Sequence, residues 1–510
     1  MATTSTDVLV VGAGPVGSTM AIALRSLGVE CVLVDRHPDV LDFPRGRGVT
    51  VRTMELMRRW GLHDRLVQVG LPDAHRAVYV GNRLLSPEFQ RFEPPKHVDS
   101  SDSPVQPLLC DQNAMERVLR SAVAECGADV RLGVEVTQVL ERRDAVEATV
   151  VDRLSGEQHT IRARWLVAAD GSHSPIRARL GIGCHGPGVV GEAVTVLFAA
   201  PLGERMLDRL SGLYRLNEVP GATVLCVDND TRWALIYGYD PETEDRESFT
   251  EARCRALVDE AVGDDSVQTE VLGIRFWSST AHVADRYREG RTFLVGDAAH
   301  VTTPIGGLGM NCGLADVDNL AWKLAAVVAG WAGEPLLDTY EAERMPVAEQ
   351  SAEASLGRAR PPASVVGLVL GASYSSTAVL VDGTLPPHTD DPIGEYVPVA
   401  RPGHRAPHIW LDDDHTCSTL DLFGTTMVLL VAPGGAAWRE QARGIVGVPV
   451  GVHEIEHPEW SEVYGVDGDG AVLVRPDGFV AWRSKRGPAS PDAFGVLMRE
   501  LLGASDIPTT

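Results

Sequence analysis

Positive charge is scarce in this sequence. Lys and Arg total 46 against 70 Asp and Glu, a formal charge of −24 with a pI near 5.0. A surface of that sign repels phosphate backbones and anionic lipid headgroups, so neither nucleic acid nor a membrane is an expected partner. Long apolar runs are also missing, since residues 320–331 are interrupted by Lys323 and 365–370 are too few to cross a bilayer. The opening MATTSTDVLVVG has no basic region, apolar signal core or small-residue cleavage site, which predicts a cytosolic protein. Eight cysteines include no CxxC pair and no zinc-type spacing, so reduced, mostly structural thiols are expected and no metal site. Internal repeats and low-complexity tracts are absent.

What is present starts with length: 510 residues exceed one ordinary core and imply two or three packed units. The β-branched run DVLVV at 7–11 leads into Gly12, Gly14 and Gly17 and then a helix-like segment at 18–27. Gly12 permits a sharp turn, Gly14 lets the backbone approach a pyrophosphate, and Gly17 lets helix and strand pack closely. The helix N-terminus adds free N–H groups and a partial positive charge. A second apolar run at 31–34 ends in Asp35 and Arg36, where an acid can accept the ribose hydroxyls of an adenosine. This unit alone does not distinguish NAD from FAD.

Two later segments bear on that choice. Residues 291–295 form an apolar strand running into GDAAHVTTPIGGLGMNCGLADVDNLAWKL, and 163–169 form another ending in DGSHSPIR at 170–177. Asp297, at a strand's end, suits the ribityl hydroxyls of a flavin. Pro304, Gly307, Leu308, Gly309, Met310 and Asn311 suit the isoalloxazine edge, where a helix N-terminus stabilises negative charge on a reduced ring. In order and content these segments resemble the para-hydroxybenzoate hydroxylase family of FAD-dependent aromatic monooxygenases, over approximately residues 7–349. The resemblance implies that Asp170 lies on the FAD pyrophosphate side and the nicotinamide path, that Arg45 in PRGRG contacts the flavin side, and that Gln112 sits next to FAD with Met115 facing the core. It departs from the family in Thr303, where many relatives have proline, and in Asp35, more often glutamate.

The fold class implied is α/β: a Rossmann-like FAD-binding domain with an inserted antiparallel-sheet substrate domain, plus a C-terminal thioredoxin-like α/β domain. The expected boundaries are 1–73, 107–180 and 284–351 for the FAD unit, and 74–106 and 181–283 for the substrate unit, where 222–227 and 233–237 alternate with period two. Residues 352–385 connect to 386–510, and Pro386, Pro387, Pro392, Pro398, Pro402 and Pro407 predict an exposed linker. Strand-like 426–431 and 471–474, with RPDGFVAWR at 475–483, resemble the C-terminal domain of the larger, polyketide-hydroxylase members. Cys417 lacks a CxxC partner, so that domain is expected to be structural or oligomerising, with a homo-oligomer as one outcome.

The activity implied is hydroxylation of a phenolic or polyketide-type aromatic molecule: NAD(P)H reduces FAD, and dioxygen added at flavin C4a delivers one oxygen as a hydroperoxide. Backbone at Pro304 and Gly307 would lie at the reacting edge, with no base assigned; His300 reads equally as a base or as a packing residue. Tyr214, Trp233, Tyr237 and Trp277 are substrate candidates that read equally as sheet core. Baeyer–Villiger or epoxidising oxygen insertion, and a flavin reductase without oxygenation, are the rivals. A halogenase is disfavoured by the missing WxWxIP, and no second GxGxxG unit exists for the nicotinamide.

Overall fold

The computed structural model describes residues 3–503 apart from 93–97, 220, 229 and 358–363. The first apolar run lies in the strand Thr3–Val11, in the middle of a sheet with Cys31–Asp35 parallel on one side and Gln158–Ala168 parallel on the other. Asp129–Leu132 and Thr292–Leu294 extend it in parallel at the two flanks. Such strands are buried on both faces, which is why they read as unbroken apolar runs. Val8, Leu9, Val10, Val34, Leu166, Val167 and Phe293 are all fully buried, and each such side chain contributes about 1.5–3 kcal/mol.

Four strand ends finish side by side. Gly12 N–H donates to the Val34 carbonyl (2.8 Å), Ala169 N–H to Val11 (2.8 Å) and Val295 N–H to Ala168 (3.0 Å). The three glycine- and aspartate-bearing motifs, far apart in sequence, therefore leave the sheet at one edge, where open parallel sheets bind ligands. The helices Pro15–Ser26, Gln112–Glu125 and Leu308–Ala329 pack together against it.

A second, eight-stranded sheet is antiparallel at every pairing except Leu213–Leu216 with Val78–Gly81. The period-two segments appear in it as Ala222–Cys226 and Arg232–Tyr239. His300–Val301, from the GDAAH segment, is its outermost strand, paired to Glu270–Ala284, so the roof is tied directly to the cofactor segment.

In the C-terminal domain a four-stranded sheet runs in the order Val450–Glu454, Met427–Val431, Ala471–Val474, Val480–Ser484, parallel at the first pairing and antiparallel at the other two. With the helices Ala436–Arg443, Trp460–Tyr464 and Ala493–Leu502 this is the thioredoxin-like arrangement. One expectation needs correction. Pro386, Pro392 and Pro398 are exposed, but Pro402 and Pro407 are buried. The reason is Arg405 between them, whose backbone bridges to Phe479 and whose side chain is inside the protein. Among the described residues, no helix is long and apolar enough to cross a membrane.

Candidate functional site

The glycine turn is built as its spacing requires. Gly12 has φ +105°, and a Cβ there would lie 2.2 Å from the Ala169 carbonyl oxygen; one on Gly17 would lie 1.8 Å from that of Gly12. At Gly14 nothing lies within 4 Å, so the helix Pro15–Ser26 begins at an open concavity, with no side chain capping it. Asp35 braces this turn: Oδ2 accepts from Ala13 N–H (2.6 Å) and Oδ1 from His37 N–H (2.7 Å). A carboxylate has about four acceptor sites, so two remain for a ligand. Arg36 is exposed and donates to the His37 ring (3.2 Å).

The two aspartate motifs close the other side. Arg177 ties them together, donating to the carbonyls of Ala298 (2.8 Å) and Ser172 (2.9 Å). Asp170 Oδ2 accepts from Ile176 N–H (3.2 Å), while its buried Oδ1 has no partner. Burial pushes its pKa up, against the pull of Ser174 and the Ile176 N–H. Asp297 sits deep in the protein with one face open to the concavity, and accepts no hydrogen bond from the described residues. Desolvation lifts its pKa, and the nearby His300 and Arg45 oppose that rise. Gly296 (φ +58°) and Gly313 interlock with Val16: a Cβ on Gly313 would lie 2.7 Å from Val16 Cγ2 and 2.8 Å from Gly296 Cα. The first and last cofactor motifs are thus in direct contact.

Pro304 leads into Gly306 and Gly307, both left-handed (φ +78° and +63°), and then the helix Leu308–Ala329. Leu308 is buried, Met310 is half-buried against the core, and Gly309 leaves room beside Asp297 and Thr302. Asn311, expected at the flavin edge, spends its amide on the protein. Its Oδ1 accepts from Thr50 N–H (2.9 Å) and its Nδ2 donates to the carbonyls of Gly48 (2.8 Å) and Gly307 (2.6 Å). It staples the 45–50 loop to the flavin segment. On that loop, Arg45 pairs with Glu116 (2.8 Å), and Gln112 holds Gly46 N–H (3.1 Å) and Glu116 (2.9 Å). Met115 is fully buried, as expected. Thr303 is anchored through its hydroxyl to the Ser355 carbonyl (2.5 Å) and through its N–H to Ser355 Oγ (3.1 Å), so the missing proline is replaced by hydrogen bonds.

The roof sheet has two unlike faces. Pairing puts Val194, Phe276 and Tyr237 in one row, and the next rows of that face carry Trp233 and Tyr214. This face is covered by the helix Glu251–Val262: Tyr214 stacks with Tyr79 (6.1 Å), Trp233 donates to the Ala200 carbonyl (3.1 Å), and Tyr237 packs on Phe249 (5.9 Å). Tyr214, Trp233 and Tyr237 are therefore core on the side away from the cofactor segments. The opposite face carries Leu197, Ala234, Leu225, Thr195, Arg275 and Trp277, and Phe43 of the cofactor unit packs against it. Trp277 Nε1 donates to Thr195 Oγ1 (2.9 Å), which fixes the indole on this face.

Residues 5–355 match the family model described as FAD binding domain, and 399–505 the one described as aromatic-ring hydroxylase, C-terminal. The chain belongs to the FAD-dependent aromatic-ring hydroxylases. It is 36% identical to the tetracenomycin A2 monooxygenase-dioxygenase of Streptomyces glaucescens, over 98% of this chain and 97% of that protein. It is 37% identical to aklavinone 12-hydroxylase of Streptomyces purpurascens, over 97% and 98%. Among solved structures, the flavin-dependent monooxygenase PieE with FAD and substrate aligns with a TM-score of 0.90 at 30% identity, over 98% of this chain and 99% of that one.

In this hydroxylase the cleft fits FAD on its own evidence. Two glycines admit no Cβ, a helix start is open, and among the described residues neither the exposed Asp297 carboxylate nor the buried Asp170 Oδ1 has a hydrogen-bond partner. His300 is settled by its burial: it is inaccessible, 2.8 Å from Asp316 Oδ2, and Asp316 Oδ1 takes Arg344 Nε at 2.8 Å. Burial pulls His300 down, but Cys312 and Asp316 outweigh it and hold its pKa well above the usual range. Inaccessible from the cleft, it packs beneath it as a partner of Asp316. Cys312 completes a His–Cys–Asp group, yet Arg344 already donates to its sulfur (3.3 Å) and occupies that place with positive charge. This group, like the other charges in the helix Leu308–Ala329, was missed by sequence reasoning; Asp316, Asp318 and Lys323 within an otherwise apolar segment were the available signal.

Proposed function

We propose that this chain hydroxylates a phenolic, polyketide-type polycycle at the expense of NAD(P)H and dioxygen, in the cytosol. Bound FAD would supply the redox and oxygen-transfer chemistry, taking electrons from the nicotinamide and passing one oxygen atom to an electron-rich ring carbon by the C4a route set out above. The observation that carries the reading is the meeting of three distant motifs around acceptors without partners among the described residues, under a sheet face that carries Leu197, Leu225, Ala234 and Trp277.

On this reading residues 1–73, 107–180 and 284–351 hold the cofactor, 74–106 and 181–283 roof it, and 352–385 connect to 386–510. Gly12, Gly14 and Gly17 admit the pyrophosphate, Asp35 takes the ribose, and Asp297 takes ribityl hydroxyls. Arg45 and Gln112 lie alongside, and backbone at Pro304 to Gly309 faces the reacting edge, where the helix start favours negative charge on the reduced ring. The substrate stacks on the face bearing Trp277, which excludes water from the oxygen-transfer step. No side chain is assigned as a base.

The test is NADPH oxidation by the FAD-loaded protein with and without a dihydroxyanthraquinone probe, with product mass read in parallel. Stimulated oxidation and a ring-hydroxylated product one oxygen heavier are expected. Oxidation that continues with no oxygen in any product identifies a reductase, and a ring-expanded lactone identifies Baeyer–Villiger insertion; either result overturns the proposal.

A further inference from the structure

Away from the cleft, buried charge gathers at the seam between the flavin unit and the C-terminal domain. Arg475, just after the strand Ala471–Val474, reaches both oxygens of Glu343 on the helix Thr339–Ser355 (2.6 and 2.8 Å) and also pairs with Asp477. Glu343 in turn accepts from Asn319 Nδ2 and Lys323 Nζ, both at 2.7 Å, and Asp477 accepts from Trp322 Nε1 at 3.1 Å. Asn319, Trp322 and Lys323 lie on the helix Leu308–Ala329. Arg405 grips Glu55 on the helix Val51–Arg59 through both carboxylate oxygens (3.0 and 2.5 Å). Arg52 of that helix joins the two systems, bonding Glu55 (3.0 Å), Asp318 (2.9 Å) and the Asp477 carbonyl (2.8 Å).

These are the two helices whose N-terminal ends Asn311 staples together at the flavin edge. Asn319 lies eleven residues from Leu308, about 16 Å along a rigid helix, so a shift at the seam is carried to the cleft. Burial pushes Glu343 and Glu55 up, but Arg475 and Arg405 outweigh it and hold both below the usual carboxylate range. The flavin unit alone gives these carboxylates one cation each, Lys323 for Glu343 and Arg52 for Glu55, and the C-terminal domain supplies the second.

We propose that Arg475 and Arg405 are positioning residues for the oxygenation site: through Glu343 and Glu55 the C-terminal domain fixes the two helices that frame the flavin edge, and so sets how tightly FAD is held and how well oxygen transfer is coupled. The coupling half rests on the hydroxylase reading, whereas the FAD-affinity half stands without it.

The test uses full-length Arg475→Gln, Arg405→Gln, Arg475→Lys and the double variant Glu343→Gln/Arg475→Gln. Trp438→Ala is the control; its indole donates to the Arg486 carbonyl within the C-terminal domain (2.9 Å) and packs on Trp482, with no polar tie to the flavin unit among the described residues. FAD dissociation constants are read by titrating apo-protein whose folding is checked by circular dichroism. Hydrogen peroxide released per NADPH is read with the dihydroxyanthraquinone probe. The single Gln variants are expected to weaken FAD at least about tenfold and to at least about double the peroxide fraction. Arg475→Lys should fall between Gln and wild type, and the double variant should recover part of the affinity. Trp438→Ala should lower thermal stability yet hold FAD within about twofold. The proposal is overturned if the folded Gln variants bind FAD within twofold of wild type, or if Trp438→Ala weakens FAD as much as they do. If Arg475→Gln does not fold, Arg405→Gln and Arg475→Lys are judged by the same thresholds. A protein without hydroxylase activity removes only the peroxide readout.

Discussion

The cofactor cleft and the C-terminal seam are both polar and charged, yet their carboxylates are treated in opposite ways. In the cleft the buried Asp170 Oδ1 and Thr302 Oγ1, and the exposed Asp297 carboxylate beside them, have no hydrogen-bond partner among the described residues. In the seam Glu55, Glu343, Lys323, Arg405 and Arg475 all have theirs, several of them twice over. An unsatisfied buried group costs about 1–3 kcal/mol, so a protein retains several together only where something else completes them.

That contrast can be broken most sharply at Glu343. Replacing it with Leu leaves Lys323 buried without a carboxylate and Arg475 with Asp477 alone, and should destabilise the folded protein by about 3–5 kcal/mol, read as a lower urea midpoint. A midpoint unchanged within error would make the seam decorative.

Acid should act next, and on the C-terminal side. Burial, with Arg401 and Arg405 respectively, holds His404 and His408 down at about 4, whereas the unfolded chain titrates near 6.5. Between those values the unfolded state binds more protons, so stability is lost as pH falls from about 6.5 toward 4, on the order of 3 kcal/mol per histidine at the acid end. His300 has the opposite sign: its contribution is full below 6.5 and lost only as pH rises through its elevated folded value. Urea midpoints across that range should therefore fall in wild type and fall less in His404→Gln/His408→Gln.

The smallest effect on stability belongs to the cleft. Asp297→Asn should weaken FAD by about 100-fold, about 2.7 kcal/mol, while leaving the apo-protein as stable as wild type or more so. Loss of apo stability instead would mean that Asp297 belongs to the fold.

The legible parts of this protein were the ones written locally. The glycine turn at 12–17, the strand ending at Asp297 and the period-two strands each need only neighbours in sequence, and the structure has all of them. The orientation of the roof was not legible, because a strand's two faces look alike until its neighbours and covering helix are known. Tyr214, Trp233 and Tyr237 fell on the covered side for that reason and Trp277 on the other. The seam was hidden by distance, since Arg475 and Glu343 are 132 residues apart and Arg405 and Glu55 are 350 apart. Asn311 turns its amide onto Thr50, Gly48 and Gly307, because a motif gives a position and not which way an amide turns.

The stretch from Val381 to Pro398 is largely exposed, while Arg405 and Arg475 beyond it are sunk into the body of the molecule. A protease that nicks the chain there would cut one peptide bond without separating the pieces, which would co-migrate until denaturant parts them. Expressing the two fragments separately in one cell should likewise reconstitute the whole.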